Sequence, residues 1–476
     1  MEMSLKKATI YNLISKYGTM LVQLGLTMVL ARLILPEAYG VISILLVLLN
    51  FLSLIADMGL GISIIQHPET TKEEQNALFS FSFFLGIGVS IVMIIASFPV
   101  SVIYRNESYK VYCPLISIAG FFNTLNIVPN AALMRDKRFD IMAMRSILSA
   151  VVPGIVAAIL AFLEAGVYAL IFQSICSSLF LFIWNYTKNP FKLSKFKMRK
   201  ILHLMGKYSL FQLLFNILNY FTRNLDNLLI GAKLGDTKLG YYNKAYTLNL
   251  YPNTLFTNVV TGVLHPYIRD YKNDYAMLEK KIMEILKILS LSGIFMMMVC
   301  YGCAKEIIII MFGSQWEAAI PCFKMLSICI WAQMLSSVAG SVFLGIERTD
   351  QTLKCGIINL IIIIAAIVLG LSKQSIEMLS LYVGISYNII FLITYYILIR
   401  KTMGLSFSSF IKKFLFDILF AFSGMFLITI LPDLHFGIFI RFILKIGVIL
   451  AVYLIYLFIT KQIIYIKEMV LKFFKN

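Results

Sequence analysis

Gln212, Asn216, Asn219, Arg223 and Asp226 follow one another at steps of four, three, four and three. On an α-helix of 3.6 residues per turn that spacing puts all five on one narrow face. Amides hydrogen-bond polar ligands, a guanidinium suits anionic oxygens, and a carboxylate can hold or relay a cation. A second stripe, Asn12, Lys16, Thr19, Gln23 and Thr27, repeats the pattern near the start of the chain. Shorter ones are Asn50, Ser53 and Asp57; Asn123, Asn126 and Asn130; and Asn249, Asn253 and Thr257. Motifs for covalent or metal chemistry are missing. There is no G-x-x-x-x-G-K-[ST] and no H-E-x-x-H, and His67, His203, His265 and His435 are far apart in the sequence. Cys300 and Cys303 form a C-x-x-C inside an apolar run, where helix packing is the stronger reading than redox or metal chemistry. No catalytic residue, metal site or cofactor is assigned.

The elements that must carry these stripes are membrane helices. Of the 476 residues 60% are hydrophobic and 14% charged, against about 45–50% apolar and 25% charged in soluble domains. Apolar runs of some 20 residues, enough for a helix to cross a hydrocarbon core, recur along the whole chain. The pattern predicts an all-α integral membrane protein of about fourteen transmembrane helices. The run at the N-terminus is interrupted by Lys16 and Gln23 and lacks a convincing small-residue cleavage site, which predicts a retained first helix. Net charge is +18, and its distribution explains it without nucleic acid. With loops assigned alternately to two sides, about 28 Lys and Arg fall on the side of both termini and about 6 on the other. Both termini are therefore expected in the cytoplasm. The basic segment from Asn189 and the tail from Lys461 mix lysines with apolar residues, as in helices that lie on anionic membrane lipids.

Polar groups facing lipid are costly, so the stripes must face protein or a water-filled cavity. The cavity reading is favoured because the two long stripes nearly span the membrane and each holds a cation; interhelical hydrogen bonds in a static bundle are the alternative. Arg223 and Asp226 either neutralise each other or serve a ligand and an ion, and Lys16 either lines the path or snorkels to the surface. Asp57 and Asp226, ionisable and on polar faces, are the candidates for ion coupling.

An internal repeat organises the spans. ARLILPEAYG after the first and AKLGDTKLGYY after the seventh align Arg32 with Lys233 and Gly40 with Gly240. LMRDKRF and LGIERTD give a weaker match at a similar offset of about 200 residues. The expected organisation is a six-helix lobe (1–187), a cytoplasmic basic interfacial segment (188–207), a second six-helix lobe (208–400), two additional helices (401–460) and a basic tail (461–476). No loop exceeds about 20 residues, leaving no room for a nucleotide-hydrolysing domain.

Nearly the whole chain resembles the polysaccharide transporter, or lipid-linked oligosaccharide flippase, branch of the multidrug/oligosaccharidyl-lipid/polysaccharide exporter superfamily. The resemblance is carried, in order, by ARLILPEAYG, DMGLGISIIQ, ALMRDKRF, TRNLDNLLIGAKLG, GYYNKAY, VLHPYIRDYKND and MFGSQWEAAIP. It implies alternating access in a bacterial cytoplasmic membrane and a polyprenyl-pyrophosphate-linked oligosaccharide as substrate, with polysaccharide-assembly proteins as further partners. By residue type, the cation role for pyrophosphate falls on Lys16 and Arg223, and Gln23, Asn216 and Asn219 would serve the sugar. A cation-coupled multidrug exporter of the same superfamily is the first alternative. A membrane-embedded sugar polymerase or ligase is less favoured, because the longest outer connection is only about a dozen residues. A membrane scaffold is disfavoured by the charges buried in both lobes.

Overall fold

The computed structural model describes residues 5–67, 69–195, 198–271, 274–430 and 436–463. These are mostly helical, with no strand among them. Nine of the described helices are long and apolar enough to cross a membrane, ten if a pair bent by 54° at residues 328–329 counts as one span. Large apolar side chains point outward, among them Phe98 (62% exposed), Phe416 (70%) and Phe458 (76%). An apolar surface of this kind is at rest in hydrocarbon and not in water. The chain is a multi-pass membrane protein.

Two compact units make up the chain, Met1–Gly240 and Tyr241–Asn476. The first holds α1 (Leu5–Leu33), α2 (Pro36–Asp57), α3 (Leu60–Gln66), α4 (Lys72–Ile103), α5 (Tyr109–Leu125), α6 (Ile127–Arg135), α7 (Phe139–Phe162), α8 (Val167–Lys188) and α9 (Met198–Leu234). It also holds the first turn of α10 (Asp236–Tyr271). Thr71 opens α4 with a capping box, its hydroxyl accepting from the Glu74 N–H while Glu74 reaches back to the Thr71 N–H.

The apolar run 41–65 is broken in two. Met58 (φ 40°) and Gly59 (φ 87°) are both left-handed, which ends α2 and re-aims the chain into α3. The span Tyr109–Arg135 runs on through a turn at Asn126 that separates α5 from α6. Around α3, α4 and α6 lies an apolar core that includes Leu60, Ile64, Phe79, Val128 and Ala132.

Phe191 belongs to that core, and this corrects the expectation of a surface helix from Asn189. Residues 189–195 are not helical, Phe191 is 2% exposed, and its ring stacks on Phe79 at 5.5 Å with Lys72 Nζ 3.9 Å above its face. The Lys192 N–H donates to Asn76 Oδ1 (2.9 Å) and the Ser194 N–H to Ser80 Oγ (2.7 Å). An aromatic side chain gains more in a packed pocket than at a wet interface, and α4 supplies the acceptors for the strap's backbone. From Met198 the basic segment continues directly into α9. The tail's residues 464–476 lie outside the described residues.

The turns at 34–35, 104–108, 163–166 and 235 gather at one end of the first unit. Asn106 Nδ2 donates to Asp236 Oδ2 (2.9 Å), and the Tyr109 hydroxyl donates to Asp236 Oδ1 (2.8 Å). Here the glycines aligned by the sequence repeat face one another. A Cβ on Gly40 would sit 1.8 Å from the carbonyl oxygen of Asp236, and one on Gly240 would sit 1.9 Å from that of Pro36. The first turns of α2 and α10 thus cross backbone against backbone, which only glycine permits.

The second unit continues α10 and adds α11 (Tyr275–Gly302), α12 (Ala304–Phe312), α13 (Ile320–Ser327), α14 (Ile330–Gly345), α15 (Thr349–Ser372) and α16 (Ile376–Tyr395). A π-helical turn (Tyr396–Thr402) leads to α17 (Phe407–Lys412), α18 (Leu415–Ile430) and α19 (Ile438–Ile459). Fully buried Asp417 of α18 receives Lys287 Nζ (2.7 Å), Ser290 Oγ (2.9 Å), the Tyr456 hydroxyl and Gln462 Nε2 (3.1 Å). Glu306 of α12, also buried, faces Lys445 Nζ (2.9 Å) and Arg441 Nε (3.7 Å) of α19. These two clusters fasten the last helices to α11 and α12. Cys300 and Cys303 are free and buried.

Candidate functional site

The break after α2 opens onto a cavity of about 360 Å³ whose lining includes Asn50, Ser53, Asp57, Met58, Gly59 and Asn216. Two predicted stripes, from residues 50–57 and from α9, meet here. Local sequence explains the geometry: Asp57 sits at the last position of α2, and its Oδ1 accepts the Gly61 N–H (3.2 Å) of the new helix α3. The carboxylate therefore stands at a helix N-terminus, where the peptide dipole favours negative charge. Tyr220, on α9, donates its hydroxyl to the Val47 carbonyl, and Phe51 packs against Tyr220 and Phe221 at 5.8 and 5.2 Å, holding α9 along α2.

Of the predicted site residues, the structure brings Asp57 and Asn216 together in this cavity. Lys16 and Gln23 are exposed on α1, Asn219 is half-buried on α9, and none of the three is among the cavity's lining residues. Arg223 is exposed, while Asp226, one turn on, is 6% exposed and accepts the Asn227 N–H (2.8 Å). Arg223 and Asp226 do not form an ion pair. The side chains of Asn12, Gln212 and Thr257 lie outside the described residues.

Sequence reasoning missed Arg145, on α7. Its Nη1 donates to Asn130 Oδ1 and to Asn185 Oδ1, both at 2.8 Å, and Asn185 Nδ2 donates to Asn126 Oδ1 (2.7 Å). The stripe of Asn126 and Asn130 was visible, but the arginine that uses it is a single charge in an apolar run and carries no periodicity of its own.

A discontinuous helix with a carboxylate at its break, beside a cavity that Asn50, Ser53, Asp57 and Asn216 line, is an arrangement found in membrane transporters. The fold superposes on that of the lipid II flippase MurJ in an inward closed conformation with a TM-score of 0.75 at 16% identity, over 96% of this chain and 99% of that one. The chain belongs to the polysaccharide biosynthesis protein family, whose model matches residues 29–321. It is similar to the lipopolysaccharide biosynthesis protein WzxC of Escherichia coli (strain K12), with 23% identity over 399 residues, 80% of this chain and 78% of that protein. It is also similar to an uncharacterized membrane protein in the cps region of Klebsiella pneumoniae, with 22% identity over 467 residues, 97% of this chain and 96% of that one.

Proposed function

We propose that this protein is a flippase that carries a polyprenyl-pyrophosphate-linked oligosaccharide across the bacterial cytoplasmic membrane by alternating access, with both termini in the cytoplasm. The observation that carries this reading is the cavity at the α2–α3 break, where the polar side chains of Asp57, Asn50, Ser53 and Asn216 meet among apolar ones inside a membrane bundle. A pyrophosphate with its sugars cannot cross hydrocarbon unaided, so the carrier must offer a hydrated polar interior while the polyprenyl tail stays in lipid. Asn216, Asn219 and Gln23 are assigned to the sugar, Lys16 and Arg223 to the pyrophosphate, and Asp57 and Asp226 to a coupling cation. The fourteen-span count follows if α1, α9, α10 and α18 cross the membrane with the others.

The crossing of Gly40 and Gly240 supports alternating access in particular. The approach is reciprocal, Gly40 against the Asp236 carbonyl and Gly240 against the Pro36 carbonyl, at the two glycines that the expected repeat aligns. A symmetric backbone crossing at one end of the path can close that end and, on parting, open it. The WzxC likeness points to a cell-surface polysaccharide as the destination of the cargo.

Deletion of the gene followed by lipid analysis tests the reading. A flippase mutant accumulates lipid-linked oligosaccharide on the cytoplasmic leaflet. A mutant with normal leaflet distribution and altered sensitivity to toxic cations would instead identify a multidrug exporter.

A further inference from the structure

Arg145 is 9% exposed, and among the described residues its side chain has only amide oxygens as partners. Among the described residues no carboxylate lies within ion-pairing distance of it, and its Nε–H has no acceptor there. A guanidinium cannot shed its proton at any pH the protein meets, so the charge stays. Amide carbonyls offset part of the loss of water, but an uncompensated buried cation remains strongly unfavourable. The surrounding amides are arranged with care: fully buried Asn185 gives its N–H to Asn126 and so turns its oxygen toward Arg145. Asn130 spends its oxygen on Arg145, while its Nδ2 meets only the Met134 sulfur at 3.8 Å. Two donors, Arg145 Nε and Asn130 Nδ2, are left without a good acceptor, and Asn130 is only half-buried. An acceptor that answers both donors and the charge is an anion.

Its source can be read from the surroundings. Arg145 lies six residues into α7, about 9 Å along the helix from the polar turn at 136–138. Next to it Met144 is 55% exposed, and further along α7 Ile155 and Ile159 are similarly bare. These apolar side chains need hydrocarbon beside them. An anion arriving at this depth, next to that surface, comes attached to an acyl or polyprenyl chain. We propose that Arg145, with Asn130 and Asn185, forms a binding site for the phosphate group of a membrane lipid. Tetrahedral phosphate oxygens accept from guanidinium and amide N–H groups together, and the tail lies along α7. The assignment does not depend on the transport reading, because a phospholipid that only completes the bundle satisfies it as well as a polyprenyl carrier does.

The test uses the purified full-length protein in a neutral detergent, with thermal stability and native mass spectrometry as readouts. Phosphatidylglycerol and a polyprenyl pyrophosphate are compared with diacylglycerol and polyprenol, which lack phosphate. Wild type should bind and be stabilised by the phosphorylated lipids and not by the controls. Asn185→Asp puts a carboxylate where an amide oxygen already touches the guanidinium. This variant should melt higher than wild type without lipid and bind at least one phosphorylated lipid about tenfold more weakly or worse. Arg145→Gln should lose the same binding, and because that variant can fail to fold, Asn185→Asp decides the matter. A loss confined to phosphatidylglycerol marks a resident lipid, and a loss confined to the polyprenyl compound marks a carried one; both support the site. Phosphorylated-lipid binding by Asn185→Asp equal to wild type, or no preference of wild type for phosphorylated lipids, overturns it.

Discussion

In the first unit the buried guanidinium of Arg145 is met by amide oxygens and the Asp57 carboxylate by a backbone N–H. In the second unit the buried carboxylates Asp417 and Glu306 are met by Lys287, Lys445 and Arg441. The same physical problem, charge out of water, has two solutions here. A charge neutralised by the chain's own counter-charge is tied to one geometry, and both clusters of the second unit fasten α18 and α19 to their neighbours. A charge held by neutral dipoles keeps its capacity for an outside ion, and Asp57 faces a cavity.

The largest expected effect comes from the glycine crossing at the other end of α2 from Asp57. Gly40→Ala and Gly240→Ala each drive a Cβ into a backbone carbonyl that cannot rotate away, and each should cost upwards of about 3 kcal/mol of stability or force the crossing apart. Once one substitution has parted the helices, the second adds little, so the double variant should fall well short of additive. Gly25→Ala, where a Cβ meets nothing within 4 Å, is the control. Melting temperatures and transport of all four variants check this, and additive losses would mean that the two glycines do not share one contact.

Next comes the second unit's staple. Lys287→Met or Asp417→Leu alone strands a buried charge and should cost about 3–5 kcal/mol, whereas the double variant should recover most of that loss. Thermal unfolding of the three variants decides, and absence of recovery would show that Asp417 serves Ser290, Tyr456 and Gln462 more than the lysine.

Asp57→Ala removes the acceptor of the Gly61 N–H and should cost about 1 kcal/mol, as the loss of a helix cap does. The smallest effect on stability belongs to Arg223→Ala, within about 0.5 kcal/mol, because the side chain is exposed and makes no ion pair with Asp226. Its binding of a polyprenyl-pyrophosphate sugar should nevertheless fall, with Arg223→Lys intermediate. Normal binding by Arg223→Ala would remove this residue from the head-group path.

Much of the architecture was legible. Apolar run lengths marked the membrane helices, and the 3.6-residue period placed Asn50, Ser53, Asp57 and Asn216 on faces that meet at one cavity, whereas the alignment of Gly40 with Gly240 gave no sign that the two glycines touch. The helix break at Met58 and Gly59 was not legible from hydropathy, which continues unchanged through GLGISII, although two consecutive left-handed residues beside an aspartate are a turn signal. Phe191 misled because an aromatic among lysines fits a membrane surface as well as a core, and only α4 with its acceptors Asn76 and Ser80 decides between them. The Arg145 cluster draws on α6, α7 and α8 and on the junction before α6, so no single helix's periodicity could display it.

Asp57→Asn tests the central claim most directly. An asparagine oxygen can still accept the Gly61 N–H, so the break and its stability should persist while the charge at the cavity is gone. Flipping of a lipid-linked oligosaccharide is measured in proteoliposomes with equal amounts of folded wild-type, Asp57→Asn and Asp417→Asn protein, across imposed pH and sodium gradients. The account predicts slow flipping by a stable Asp57→Asn protein, and near-normal flipping per folded molecule by a destabilised Asp417→Asn protein. Wild-type flipping by Asp57→Asn under every gradient, with loss of flipping in a folded Asp417→Asn, would contradict it and place the working surface in the second unit.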